Sequence, residues 1–239
     1  MADLTRDFLD RVVELAEPKI HTLDGMQYST RQLHLIRQPS PETLGVQTLS
    51  GLVDFFEKTD FGYPADDDSP LLIHVVSHQE ANLISDIDPV YQTRREYVSA
   101  VCNNDQKFRF GTYYDAEEFC VAIQTQFVDS KERAGLLAIV GNVKEEHVKT
   151  TSDDGISQTV VAKRGIGPVQ ESRLPNPIIL RPYRAFVEIE QPASPFVLRA
   201  KEGPRFALFE ADGGQWKLEA IELIREWLSA KLPDVPIIA

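Results

Sequence analysis

The sequence predicts an α+β fold, with a mainly antiparallel sheet, a central helical hairpin and packing helices at both ends. Three observations predict it. Apolar residues recur at helical spacing near both ends of the chain and in two consecutive segments in its middle. Alternating or continuous apolar runs, bounded by turn residues, fill most of the rest. No strand–helix–strand alternation long enough for a doubly wound parallel sheet occurs. At 239 residues, 42% hydrophobic and 26% charged, the chain has enough apolar material for an ordinary core. We read it as a single domain over 1–239, with a less distinctive helical amino-terminal part over 1–65.

Each element has its own signal. Leu4 to Glu17 places Phe8, Val12 and Leu15 on one face, widened by Leu9, Val13 and Ala16, and Pro18 stops the helix. Arg31 to Ile36 alternates as a short strand. Thr43 to Lys58 sets Leu49, Leu52, Val53 and Phe56 at i, i+3, i+4 and i+7, a second helix with one packing face. Leu71–Ser77 and Asn82–Asp88 read as a hairpin turning around His78 to Ala81. The first arm is so apolar that both of its faces are expected to be covered. Arg94 to Cys102 continues as a strand.

Asp115 opens a helix with Glu118 three residues on, a capping-box spacing, and Phe119, Cys120, Ile123 and Phe127 form its stripe. Ser130 caps the next helix, with Ala134, Leu137 and Val140 inward and Gly141-Asn142 as its end. The pair makes the helical hairpin. Strands Glu146–Thr151 and Ile156–Ala162 meet at an Asp-Gly turn. Pro182 removes a ladder hydrogen bond from the run Ile178 to Glu190, so that run is an edge or a bend. Phe196–Ala200 and Arg205–Glu210 close around Gly203-Pro204, and the last helix points Ala220, Ile221, Ile224, Trp227 and Leu228 inward.

The formal charge is 25 minus 37, or −12, which repels phosphate backbones and anionic lipid heads. Arg94-Arg95 and Lys163-Arg164 are the adjacent basic pairs, and neither extends into a patch. The composition therefore argues against direct nucleic-acid binding. No run is long and apolar enough to span a bilayer, and the acidic amphipathic start is unlike a signal peptide, so an intracellular protein is expected. Cys102 and Cys120, far apart in apolar surroundings, suit small hydrophobes in a reducing compartment.

Chemical motifs are sparse. His74 and His78 lie four apart, an even spacing that shares a strand face, and with Glu80 they imitate a metal cluster that still needs another ligand. Asp66-Asp67-Asp68 lacks the alternation of a calcium loop. Asp86 with Asp88 and Glu188 with Glu190 are pairs that act as acid and base only if burial separates them. Ser85, Ser99 and Ser152 lack a nucleophile elbow, and Gly165-Ile166-Gly167 lacks the rest of a phosphate loop. No catalytic residue, resident metal or cofactor is assigned.

Four phrases in order carry a resemblance: FVDSKERA over 127–134, SDDGISQTVVAKRGI over 152–166, LPNPIILRPYRAFVEIEQPASPFVLR over 174–199 and ALFEADGGQWKLEA over 207–220. Across a core of about 71–232 the chain resembles the phage and prophage protein family represented by the bacterial prophage protein YfdQ. The resemblance implies a phage-encoded accessory protein in the cytoplasm of an infected bacterium and brings no catalytic residues with it.

The first expectation is non-catalytic self-assembly into a homo-oligomer, through proline-broken edges at Pro182 and Pro192 and the apolar tail residues Val235, Ile237 and Ile238. One alternative is an acidic protein that inhibits a host defence or DNA-handling protein. The other is a metal-dependent enzyme acting on nucleotides.

Overall fold

Contacts divide the chain into two units, Met1–Pro41 and Glu42–Ala239. The computed structural model describes residues 5–23, 26–30, 42–59, 71–87, 93–103, 107–143, 149–153, 158–162, 170–173, 176–201 and 203–239. In the first unit, helix α1 (Arg6–Ala16) is followed by the antiparallel strands β1 (Ile20–Leu23) and β2 (Met26–Ser29). Glu17 still donates its N–H to the Val13 carbonyl, and Pro18 ends the ladder. Helix α1 buries none of its residues, so the apolar stripe Phe8, Leu9, Val12, Val13 and Leu15 is exposed. The strand expected over Arg31–Ile36, the Asp66–Asp68 triplet, Lys163-Arg164 and the Gly165–Gly167 turn lie outside the described residues.

The second unit holds two hydrophobic cores. One sheet runs in the order β14-β4-β5-β6-β3, from β3 (Leu44–Val46), β4 (Leu71–Ser77), β5 (Glu80–Ser85), β6 (Glu96–Val101) and β14 (Ile237–Ile238). Its central pairs are antiparallel, and the short edge strands β3 and β14 add in parallel. Helices α2 (Leu49–Lys58) and α5 (Gln215–Lys231) cover it, burying Leu49, Leu52 and Val53 from one and Ala220, Ile224 and Leu228 from the other. Helix α2 starts later than its spacing predicts, because Thr48 accepts the Gly51 N–H and the preceding residues pair as β3. The first arm of the hairpin is covered fully on one face only: on the other, Leu72 is buried while His74 and Val76 remain exposed.

The other sheet is antiparallel in the order β11-β12-β13-β7, from β7 (Tyr114–Asp115), β11 (Ile178–Leu180), β12 (Ser194–Lys201) and β13 (Arg205–Glu210). Helices α3 (Ala116–Gln126) and α4 (Lys131–Val143) form the expected hairpin and share its core. Both caps are made: Asp115 accepts the Glu118 N–H at 2.8 Å, and Ser130 accepts the Arg133 N–H at 3.1 Å. Helix α4 runs past Gly141, and its buried residues are Leu136 and Val140, with Ala134 outward. Rings of Phe108, Phe110, Phe119, Phe127, Phe196 and Phe206 interlock through edge-on and tilted contacts and one stacked pair, Phe110 with Phe196, geometries their quadrupoles favour. A three-stranded sheet of β8 (Lys149–Asp153), β9 (Gln158–Ala162) and β10 (Gln170–Arg173) completes the described strands.

The residues expected to offer open edges are spent inside the chain. Pro182 bridges to Phe127, while Val128 donates to the Arg181 carbonyl at 2.8 Å and Tyr183 to the Gln126 carbonyl at 2.9 Å. The connection between α3 and α4 thus continues the sheet beyond β11. Pro192 is buried. In the tail, Val235 and Ile237 pack on the α5-side core, Ile237 and Ile238 pair with Ile73 and His74, and Ile73 donates to the Pro236 carbonyl at 2.9 Å. Covering an edge this way satisfies donors and acceptors that would otherwise pair with another chain. No helix among the described residues is long and apolar enough to cross a membrane.

Between the two cores runs the irregular segment 181–193. Ile178 and Leu180 enter one core; Ala185, Phe186 and Ile189 enter the other. The segment keeps its shape through the buried side chain of Gln191. Its Oε1 accepts the Arg184 and Ala185 N–H groups at 3.0 and 3.1 Å, and its Nε2 donates to the Phe186 carbonyl at 2.9 Å. Replacing Gln191 with leucine strands these buried groups, so the unfolding free energy is expected to fall by about 2–4 kcal/mol. Urea titration checks this, with a lower midpoint at an unchanged slope.

Candidate functional site

A pocket of about 270 Å³ opens where the two cores meet, and its walls come from six separate stretches, among them the end of α3 at Gln126 and the end of β13 at Glu210. The β4–β5 turn supplies His78, the aromatic run before β7 supplies Lys107, Phe108 and Phe110, segment 181–193 supplies Arg184, and the start of α5 supplies Trp216 and Lys217. A wider depression of about 1100 Å³ lies along α3, lined by Asp115, Glu117 and Glu118 among others. It is shallow, and among the described residues no buried charge converges on it. The smaller pocket has one.

That charge is Arg184, a residue only 7% exposed. Its guanidinium lies 3.6 Å from the centre of the Trp216 ring, donates from Nη1 to Glu210 Oε1 at 2.7 Å and from Nη2 to the Ser194 hydroxyl. Burial pushes the Arg184 pKa down, and the neighbouring carboxylates Glu210 and Asp212 oppose this, leaving it at about 10. Arg184 is therefore charged at neutral pH. Its Nε and the Oε1 of Gln126, which also lines the pocket, are buried without hydrogen-bond partners.

The surroundings hold Arg184 in place. The Ser194 hydroxyl donates a hydrogen bond to Asp212 Oδ2 at 2.8 Å, and Asp212 Oδ1 accepts the Gly214 N–H at 3.0 Å. Burial would raise the Asp212 pKa, but the hydrogen bonds from Gly214 and Ser194, with the Arg184 charge, carry it below the usual carboxylate range. Gly213 and Gly214 sit at φ of 62° and 87°, the left-handed conformation that lets the chain turn into α5 under Trp216. On the opposite wall, Gln79 donates to the Arg184 carbonyl at 3.2 Å, and its own carbonyl accepts the Cys102 N–H at 2.8 Å. This fixes the turn that carries His78.

The His78 ring stands edge-on to Trp216, with centroids 4.7 Å apart. Burial holds its pKa below the ordinary imidazole value, and the charges of Lys217, Lys107 and Arg184 lower it further. His78 is consequently neutral at pH 7. His74 is elsewhere: it faces outward from β4 opposite Asn82. The even-spacing argument fails because a register shift between Val75 and Ser77 breaks the alternation before the turn. Glu80 accepts a hydrogen bond from Asn82 at 3.1 Å instead of turning toward either histidine. Among the described residues no group of three metal-ligating side chains is placed to hold an ion.

Other candidates have structural work. Asp86 pairs with Arg94 at 3.4 Å, Glu188 accepts the Ser50 N–H at the start of α2, and Glu190 pairs with Arg181. Ser85 donates to the Asp86 carbonyl and accepts the Arg95 N–H. Cys102 and Cys120 form no disulfide, and burial together with Glu188 pushes the Cys102 thiol up, away from thiolate chemistry.

Neither Arg184 nor Trp216 nor Lys107 stood out in the sequence. The available signal was compositional: the aromatic-rich run KFRFGTYY over 107–114, with an Arg in the stretch 174–199 and a Trp in the stretch 207–220. No family model, curated protein or solved structure matches the chain.

A base whose folded pKa is depressed binds fewer protons than the unfolded chain does, so stability must fall as pH drops below the unfolded imidazole value near 6.5. Thermal melts between pH 7.5 and 5.5 are expected to show this loss. His78→Gln should flatten that part of the profile.

Proposed function

We propose that this protein is a non-catalytic binding module that holds a small anion in the Arg184 pocket, and that it serves, as its family resemblance implies, as an accessory protein encoded by a phage. One observation carries the binding reading. On a chain of net charge −12, this pocket gathers Lys107, Arg184 and Lys217 against the single carboxylate Glu210. Cations concentrated at a partly desolvated concavity attract anions far more strongly than the same charges spread over a surface.

Supporting chemistry points the same way. Arg184 is held by a network reaching three elements, which keeps the site formed before a ligand arrives and reduces the ordering cost of binding. A neutral His78 adds a donor or an acceptor. It has no orienting carboxylate and no adjacent nucleophile among the described residues, so a triad or metal mechanism on nucleotides gains nothing from it.

Isothermal titration with acetate, benzoate, inorganic phosphate and phenyl phosphate, beside neutral phenol, tests the reading. At least one anion is expected to bind where phenol does not, and Lys217→Glu should weaken it roughly tenfold or more. Lys217 is exposed, so the variant keeps its fold. Silence from every anion would defeat the proposal.

A second reading retains self-association but moves its surface. The observation favouring it is the exposed stripe Phe8, Leu9, Val12, Val13 and Leu15 on α1, which a second copy of the same helix would cover. Light scattering is expected to give a mass above the 26.9 kDa of one chain, reverting to that mass in Leu9→Glu/Val12→Glu. A wild-type particle of single-chain mass removes this reading.

A further inference from the structure

We propose that the ligand of the Arg184 pocket is a phosphate monoester with a small apolar or flat organic part. This rests on the anion-binding reading and adds the charge and the size of the ligand to it.

The charge follows from which cations are already answered. Arg184 is paired with Glu210 at 2.7 Å, so its charge is largely balanced within the protein. Lys107 and Lys217 are exposed at the pocket and form no ion pair among the described residues. Two ammonium groups with no carboxylate partner among the described residues, one of them 5.8 Å from the centre of the Trp216 ring, suit a dianion. A carboxylate brings one negative charge and leaves one lysine uncompensated, whereas a phosphate monoester near neutral pH brings between about 1.5 and 2. Lysine acts as a compact point charge toward phosphate and needs no forked geometry. Nearby, His78 offers a further hydrogen bond to a phosphate oxygen.

The body of the ligand follows from the wall and the volume. Phe108, Phe110, Pro182 and Tyr183 give the pocket an apolar and aromatic wall. Inorganic phosphate would leave that wall in contact with water and gain nothing from it. An apolar group laid along it recovers transfer free energy, about 25 cal/mol for each Å² covered. At about 270 Å³ the pocket lies just under the range of roughly 300–1,000 Å³ that encloses drug-sized molecules. One ring or a short chain fits beside the phosphoryl group; a dinucleotide or an oligonucleotide does not.

The chain has two tryptophans, Trp216 in the pocket and Trp227 in α5. In a Trp227→Phe background the fluorescence of Trp216 therefore reports on the site, alongside calorimetry. Phenyl phosphate is expected to bind at least about tenfold more tightly than either benzoate or inorganic phosphate. Lys107→Gln and Lys217→Gln should each reduce its affinity by about an order of magnitude with unchanged melting temperature. Benzoate binding as tightly as phenyl phosphate would overturn the dianion, and inorganic phosphate binding as tightly would overturn the organic part. Either result leaves the anion pocket standing. No binding by any of the three removes this proposal, and silence from acetate as well removes the anion reading with it.

Discussion

The arrangement of the larger unit depends on one buried cation. Taking a guanidinium out of water costs several kcal/mol, and the cost is met only where geometry supplies near-complete compensation. Arg184 receives it from a carboxylate on β13, a hydroxyl on β12 and the face of Trp216 at the start of α5. Those partners belong to different elements. Keeping the charge satisfied therefore requires β12, β13 and α5 to hold their places around segment 181–193. That segment is also where the chain crosses from the aromatic core to the α5-side core. The same constraint that docks the two cores leaves a concavity between them, and the site is a by-product of the way they are joined.

Much of the fold was legible because it is local. Periods of two and 3.6, the caps at Asp115 and Ser130, and the turn at Gly203 are decided within a few residues of sequence. What could not be read depends on distant partners. Pro182 correctly marks the end of a regular strand, but nothing near it in sequence says that residues 126–128 take over the pairing. Likewise, a greasy tail looks like an offer to another molecule until β4 is seen to accept it. The burial of Leu136 in place of Ala134 is a smaller case: a rotation of α4 by less than one turn, set by the sheet it rests on.

The candidate site was nearly invisible for the same reason. A histidine pair drew the eye because metal ligands come in recognisable spacings, yet only His78 reaches the pocket, and it does so as an aromatic neighbour of Trp216. Arg184 sits in a proline-rich stretch whose pattern reports backbone constraint and says nothing about charge. Gln191, whose amide braces that stretch, has no sequence signature at all. Sites assembled from loops on several elements share this property, since each residue is unremarkable until the others surround it.

The parallel pairing of β14 with β4 has a kinetic corollary. Joining residue 73 to residue 237 closes a very long loop, and such closures wait for the contacts between them to shorten the effective chain. The β4–β5 hairpin spans two turn residues and assembles on the microsecond scale. Histidine 78 thus rides on one of the earliest pieces of ordered backbone, while the sheet beneath it is sealed at the far edge only among the last events.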